Sequence, residues 1–343
     1  MKALSFCIRY LGIPLIIVLT ALPYHYFLSV NTDIQVGGMV ISELLAFVSG
    51  ASVLAGSLVL CEHLLPLEEF PESKHQQLTD VFYAISTGVL FAFVHPLISG
   101  LSTLNETLGI EGNLLQGIPA WLQFIIGLAL LDLVLYWWHR LLHESGSRFL
   151  WKIHEVHHAP DRFSFMAGGR AHLLDVLPVP IALAMIRFLF GLDTELIMWL
   201  LLCPMVTGAV HHTNVDFRLG IFNWIFPGPE MHRVHHDKDP AIALNYSTCF
   251  PIWDLVFGTT KPFRNAGETD YGLHYRNDER ETYLEELYAP FVSEPDPRRQ
   301  AQAGIHVTSN IGSDPDVKGK VEIEEEIETV LGEPPESVAQ FGA

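Results

Sequence analysis

The sequence predicts an all-α fold, a polytopic bundle of transmembrane helices. Three observations carry that expectation. Hydrophobic residues make up 49% of the 343 and charged residues only 17%, and the mean hydropathy is +0.27. That is too apolar for an ordinary soluble domain. Several apolar runs reach the roughly 20 residues a helix needs to cross a bilayer. Finally, the 17 histidines nearly equal the 20 lysines and arginines together, and they are clustered. The formal net charge of −19 argues against a nucleic-acid partner, because no basic surplus exists to displace counterions from phosphates. Cys7, Cys61, Cys203 and Cys249 form no CxxC pair and read as small hydrophobes rather than a disulfide framework.

The first apolar run, about 4–28, contains Arg9 and Pro14; with no small-residue cleavage site and further runs behind it, it reads as a retained helix. The second covers about 37–62, the third 79–101 and the fourth 118–138. Runs at 173–190 and 194–210, separated only by Gly191-Leu192-Asp193, predict a helical hairpin. Positive charges set the orientation. Lys2 and Arg9 open the first run, the loops at 29–36 and 102–117 have no Lys or Arg, and from residue 140 onward only Arg187 falls near the hairpin tip. An N-terminus inside and four crossings place His139 at the cytoplasmic end of the fourth helix. From about 290 the sequence turns acidic and Pro-rich, with EIEEEIE at 322–328, which predicts a solvated, disordered tail.

Eleven histidines fall between 139 and 236. His139 and His143 form HRLLH, and His154, His157 and His158 form HEVHH. His211 and His212 adjoin where the hairpin ends, and His232, His235 and His236 form HRVHH. Helical spacings of three and four put such side chains on one face. Four groups of this kind can therefore surround one or two metal ions, and nine or more imidazoles exceed the four ligands of a single tetrahedral zinc. A two-metal site at the cytoplasmic face of the bundle fits the count. Imidazole suits zinc, copper, iron and nickel alike. Two irons would suit O2 activation, and two zincs remain open on sequence alone. His25, His63, His75, His95, His274 and His306 stand apart and read as ordinary polar residues.

These boxes, with His212-Thr213-Asn214 between them, resemble the fatty acid hydroxylase/sterol desaturase superfamily. The flanks are similar too: Asp132 and Tyr136 before the first box, then Asn245-Tyr246 and the run Trp253-Asp254-Leu255-Val256-Phe257-Gly258-Thr259 after the last. The resemblance covers about 118–264. It implies an integral membrane enzyme with two iron ions that uses O2 to hydroxylate or desaturate a membrane lipid of sterol, fatty-acyl or alkyl type. By resemblance the metal ligands are His139, His143, His154, His157, His158, His212, His232, His235 and His236, with His211 as a ligand or a neighbour of one. Asp132, Asn245 and Asp254 are implied as supporting catalytic residues; the carboxylate of Asp132, two helical turns before His139, either orients a ligand's free N–H or is a buried polar group bonded within the helix bundle. His172, in AHLLD, is similar to an HPxD element of some sterol-directed members, with Leu173 in place of proline.

No haem, dinucleotide or cluster motif is present, so electrons would come from an external donor of cytochrome b5 or ferredoxin/reductase type. The site would face the cytoplasm from a bacterial inner membrane or the endoplasmic reticulum. The implied organisation is 1–117 N-terminal transmembrane helices, 118–264 histidine-box catalytic domain, 265–290 C-terminal extension and 291–343 acidic tail. Two other functions stay open. HEVHH also satisfies the HExxH pattern of a zinc protease, with Glu155 as base. A histidine-rich metal-binding or transport protein is the other, although Glu43, Asp132 and Arg187 are the few ionisable residues inside the spans.

Overall fold

A computed structural model describes residues 2–30, 32, 34–36, 39–69, 74–92, 107, 112, 114–239, 243–262, 269–275 and 282–292. The acidic stretch 293–343 and the outer part of the expected third span, 93–101, lie outside the described residues. Helix α1 (Lys2–Leu28) runs unbroken through Pro14 and Pro23. A two-residue antiparallel ribbon, β1 (Gln35–Val36) with β2 (Met39–Val40), leads into α2 (Ile41–Leu64) and, with an isolated bridge between Pro66 and Val215, makes up the β structure among the described residues. Helices α3 (Lys74–Ala92) and α4 (Ala120–Glu144) follow. After α4 come α5 (Arg148–His158) and two four-residue helices, α6 (Phe165–Gly168) and α7 (Leu173–Val176). The expected hairpin is α8 (Pro178–Phe190) and α9 (Thr194–His211). Gly191 ends α8 in the left-handed region (φ 70°), where a side chain would be strained, and Asp193 caps α9 by accepting from Leu196 N at 2.9 Å. Then come α10 (Pro229–His235), α11 (Ile252–Phe257) and α12 (Tyr283–Tyr288).

Among the described residues five helices are long and apolar enough to cross a membrane: Leu4–Leu28, Ile41–Leu64, Ala120–Glu144, Leu173–Phe190 and Thr194–His211. Helix α9 is the central stave. On one side Ile197, Leu200 and Leu201 pack with Leu128 and Leu131 of α4 and Leu183 of α8. On the other, Met198, Leu202 and Val206 pack with Ile13 and Ile16 of α1 and Leu54 and Leu58 of α2. Lipid is as apolar as leucine, so close packing and hydrogen bonds hold such helices together rather than expulsion from water. Both devices are present. A Cβ on Gly127 would stand 2.8 Å from the tip of Leu200, so the glycine lets α4 and α9 approach without moving that side chain, and the Tyr24 hydroxyl donates to Met198 O at 2.6 Å. The outer faces of α1 and α4 expose large apolar residues such as Leu15, Leu22 and Trp121, the surface a lipid would cover.

Candidate metal centre

The last turns of α4 carry His139 and His143 at a spacing of four. A three-residue link, 145–147, leads to α5, whose first turn is capped by Ser147 accepting from Leu150 N, and α5 brings His154, His157 and His158 back against them. The hairpin α8–α9 leaves from and returns to this same end, placing His212 just past α9. Pro229 opens α10 at a position where its missing N–H costs nothing, and α10 supplies His232 and His235, with His236 as its C-cap.

Two sets result. Ring nitrogens of His139, His143, His154, His158 and His235 all lie within 4.8 Å of one another, and so do those of His157, His212, His232 and His236. Each HxxHH box is divided between the sets: His154 and His158 go to one and His157 to the other, while His235 separates from His232 and His236. The sets adjoin where the rings of His158 and His236 stack at 4.3 Å.

Hydrogen bonds fix the tautomers. Nδ1–H of His139 donates to Tyr246 O (2.8 Å), of His157 to Arg170 O (2.9 Å), of His212 to Gly208 O (2.8 Å) and of His235 to Leu244 O (3.1 Å). His154 donates to Asp175 Oδ2 at 2.7 Å. These oxygens only accept, so Nδ1 carries a proton in each, and in the neutral ring Nε2 then presents a lone pair. Yet His139 Nε2 lies 3.1 Å from His154 Nε2, and His157 Nε2 lies 3.1 Å from His212 Nε2. Two lone pairs facing at that distance repel unless a cation lies between them. The donor chemistry therefore fits a metal ion in each set. Burial, and then the neighbouring His154, depresses the imidazole of His157 to about 4. Burial is also the first cause holding His158, His212, His232, His235 and His236 well below the usual histidine range. All are thus in the neutral form that ligates.

The remaining expected residues stand elsewhere. The ring of His211 belongs to neither set; its Nε2–H donates to Pro227 O at 2.6 Å, tying α9 to the approach of α10. Asp132 does not orient a histidine. Its carboxylate accepts from the amides of Cys249 (2.7 Å) and Phe250 (2.8 Å), because those amides have no ladder to join. Asp254 accepts from the Tyr246 and Ser247 amides at 2.8 and 2.9 Å and from the Thr259 hydroxyl at 2.7 Å. Asn245, at φ 68°, accepts from Lys261 N (2.7 Å) and donates to Met231 O (3.3 Å). All three brace the 244–261 loop that supplies the Leu244 and Tyr246 carbonyls to His235 and His139. Glu155 is buried and ion-paired with Lys152 Nζ at 2.7 Å, committed to a structural contact rather than poised as a base.

Asp175 was not anticipated. The pattern His172-x-x-Asp175 drew notice to its histidine, but His172 caps α7, accepting from Leu174 N at 3.1 Å, and Asp175 meets the metal set. Arg170, whose carbonyl holds His157, is itself fixed by Asp80 of α3 at 2.5 Å, and Asp80 also takes Arg162 at 2.5 Å.

A model of the fatty acid hydroxylase family matches residues 124–259. The chain is 34% identical to an ornithine lipid hydroxylase of Rhizobium tropici over 175 residues, 50% of this chain and 51% of the relative. It is 24% identical to an alkylglycerol monooxygenase of Danio rerio over 284 residues, 78% of this chain and 60% of the relative. It is 29% identical to methylsterol monooxygenase 2-2 of Arabidopsis thaliana over 155 residues, 43% of this chain and 57% of the relative. The chain thus spans between half and two thirds of these relatives' own length, and no solved structure matches it. The match to the fatty acid hydroxylase family runs from within α4 to Thr259 at the end of the bracing loop and takes in every histidine of both sets.

Proposed function

We propose that this protein is an oxidoreductase that hydroxylates a C–H bond of a membrane lipid, using O2, two iron ions and electrons from a separate donor protein. The observation that carries the reading is the division of nine imidazoles, six buried and three half-buried, into two adjoining sets, with Nε2 of His139 turned to His154 and of His157 to His212. His139, His143, His154, His158 and His235 would hold one ion, and His157, His212, His232 and His236 the other. Bound iron would supply reductive O2 activation, with the overall balance R–H plus O2, two electrons and two protons giving R–OH and water.

The chain's own residues do the rest. Carbonyls and Asp175 hold the rings in register before any metal arrives, so little reorganisation is needed when it does. Phe163 stacks on the His212 ring at 5.3 Å and Trp151 meets His143 at 5.4 Å, closing the sets against bulk water. Hydroxylation is favoured over desaturation because relatives at 34% and 24% identity are named a hydroxylase and a monooxygenase. The excess of Lys and Arg on the side where α4 ends supports a site facing the cytoplasm. An ornithine-type or ether-type lipid suits those same relatives. The zinc-protease alternative loses its base to the Lys152–Glu155 ion pair.

Metal analysis of the purified protein, paired with lipid profiling of cells with and without it, tests the reading. Iron near two per chain and a new lipid heavier by one oxygen are expected. Zinc alone with unchanged lipids would overturn it.

A further inference from the structure

Past α9 the chain turns back along the membrane helices instead of leaving them. Arg218 N donates to Arg9 O at 2.9 Å, and Arg9 pairs with Asp216 at 3.2 Å. A Cβ on Gly12 would come 2.5 Å from the ring of Phe217. Residues 215–219 therefore lie beside positions 9–13 of α1, inside the apolar run Leu4–Leu28. At 1.5 Å of rise per residue, Arg9 is already about 7 Å in from Leu4.

From that depth the chain continues into the 3-10 turn Gly220–Trp224 and on to Phe226. It turns Ile221 (78% exposed), Phe222 (60%), Trp224 (45%), Ile225 (53%) and Phe226 (51%) outward. Helix α11 does the same one element away. Ile252, Leu255 and Val256, spaced by three and four, form an exposed face. The two segments are joined by the rings of Phe226 and Phe250 at 6.1 Å, and α11 is joined to the outward-facing Trp137 of α4 by Phe257 at 4.8 Å. An apolar belt thus runs from 220–226 through α11 to α4, bordered on the α1 side by the exposed Arg9 and Arg218 with their partner Asp216. A continuous patch of this kind on a water-facing surface is a liability, whereas aromatic and aliphatic residues at a bilayer boundary are stabilising.

The belt is also fixed to the metal-binding helix. Leu219 N donates to Glu230 at 2.9 Å, Asn223 holds the same carboxylate, and Gly228 N donates to Asn223 Oδ1 at 2.9 Å. Its position relative to His232 is therefore set.

We propose that residues 220–226 and α11 are in-plane elements immersed in the bilayer. Their surroundings are the acyl chains of the same membrane that the five long apolar helices would cross. The inference rests on the chain spanning a membrane and is independent of the reaction proposed above.

Spin labels read this directly. Cysteines replacing Phe222, Ile225 and Val256, each with the exposed Cys7 changed to serine, are labelled in the full chain and reconstituted into phosphatidylcholine–phosphatidylglycerol vesicles. Asp239→Cys, at an exposed polar position, serves as the aqueous reference. Unchanged metal content per chain shows that each variant is assembled. Oxygen, which concentrates in lipid, should relax the labels at 222, 225 and 256 more than water-soluble chromium oxalate does, and the order should invert at 239. Chromium oxalate relaxing 222, 225 and 256 as strongly as 239 would overturn the proposal. So would neither agent reaching those three labels, the result for a face covered by protein. No turnover is measured, so a chain that oxidises nothing can still pass, and an active enzyme with a wet belt fails here alone.

Discussion

His154 Nδ1 lies 2.7 Å from a carboxylate oxygen of Asp175, while the Nδ1 atoms of His139, His157, His212 and His235 meet backbone carbonyls. The negative charge makes His154 a stronger donor to a metal and locks its tautomer. Asp175→Asn keeps the shape and removes the charge. Metal affinity of the five-histidine set should fall about 10- to 100-fold, read by competition with a chromophoric chelator. An unchanged affinity would mean that Asp175 only fills space. Asp132 acts at the same scale through the backbone. Asp132→Ala orphans the amides of Cys249 and Phe250 in apolar surroundings, at about 1–3 kcal/mol for each. Unfolding of the variant by dodecyl sulfate titration from mixed micelles should shift to a lower detergent fraction; a coincident curve would show that water replaces the carboxylate.

Element packing decides which histidine joins which set. Helix α6 crosses the end of α9 so closely that a Cβ on Gly168 would lie 2.2 Å from Cβ and Cγ of His212. Gly168→Ala should push His212 out of the four-histidine set and lower the metal stoichiometry from two toward one. Gly88→Ala in α3, which meets nothing within 4 Å, should stay at two. The long elements were legible in the sequence because each is an apolar run bounded by polar residues: α1, α2, α4 and the hairpin broken at Gly191-Leu192-Asp193. The boxes were legible because spacings of three and four are local. The division of HEVHH and HRVHH between two sets was not, since it depends on how α5 and α10 approach α4 and α9, which residue spacing does not encode. The partners of Asp132 were not legible for a related reason. Two turns before His139 it shares that histidine's face, yet its partners lie 117 and 118 residues away.

At the scale of the molecule, α4, α5, α9 and α10 meet at one pole of the bundle, where they contribute the two histidine sets. Metal ions held in those sets would cross-link four elements and relieve the facing lone pairs. Removing them should soften the entire pole. A ligand present at a thousand times its Kd stabilises by about 4 kcal/mol, so a chelated sample should melt at a clearly lower temperature and recover when iron is restored. Equal melting temperatures would mean that packing alone holds the pole.

The acceptors behind the rings carry a consequence for how the site tolerates change. Tyr246, Arg170, Gly208 and Leu244 contribute main-chain oxygens, which persist whatever side chain is attached. Leu244, which contributes only a carbonyl to its ligand, and Gly208, whose Cβ would meet nothing within 4 Å, are free to vary on this account. In a saturation screen the centre would then be written in nine histidines, Asp175 and the close-packed Gly168. Most of its remaining support would be silent at the level of residue identity, stored in the path of the chain.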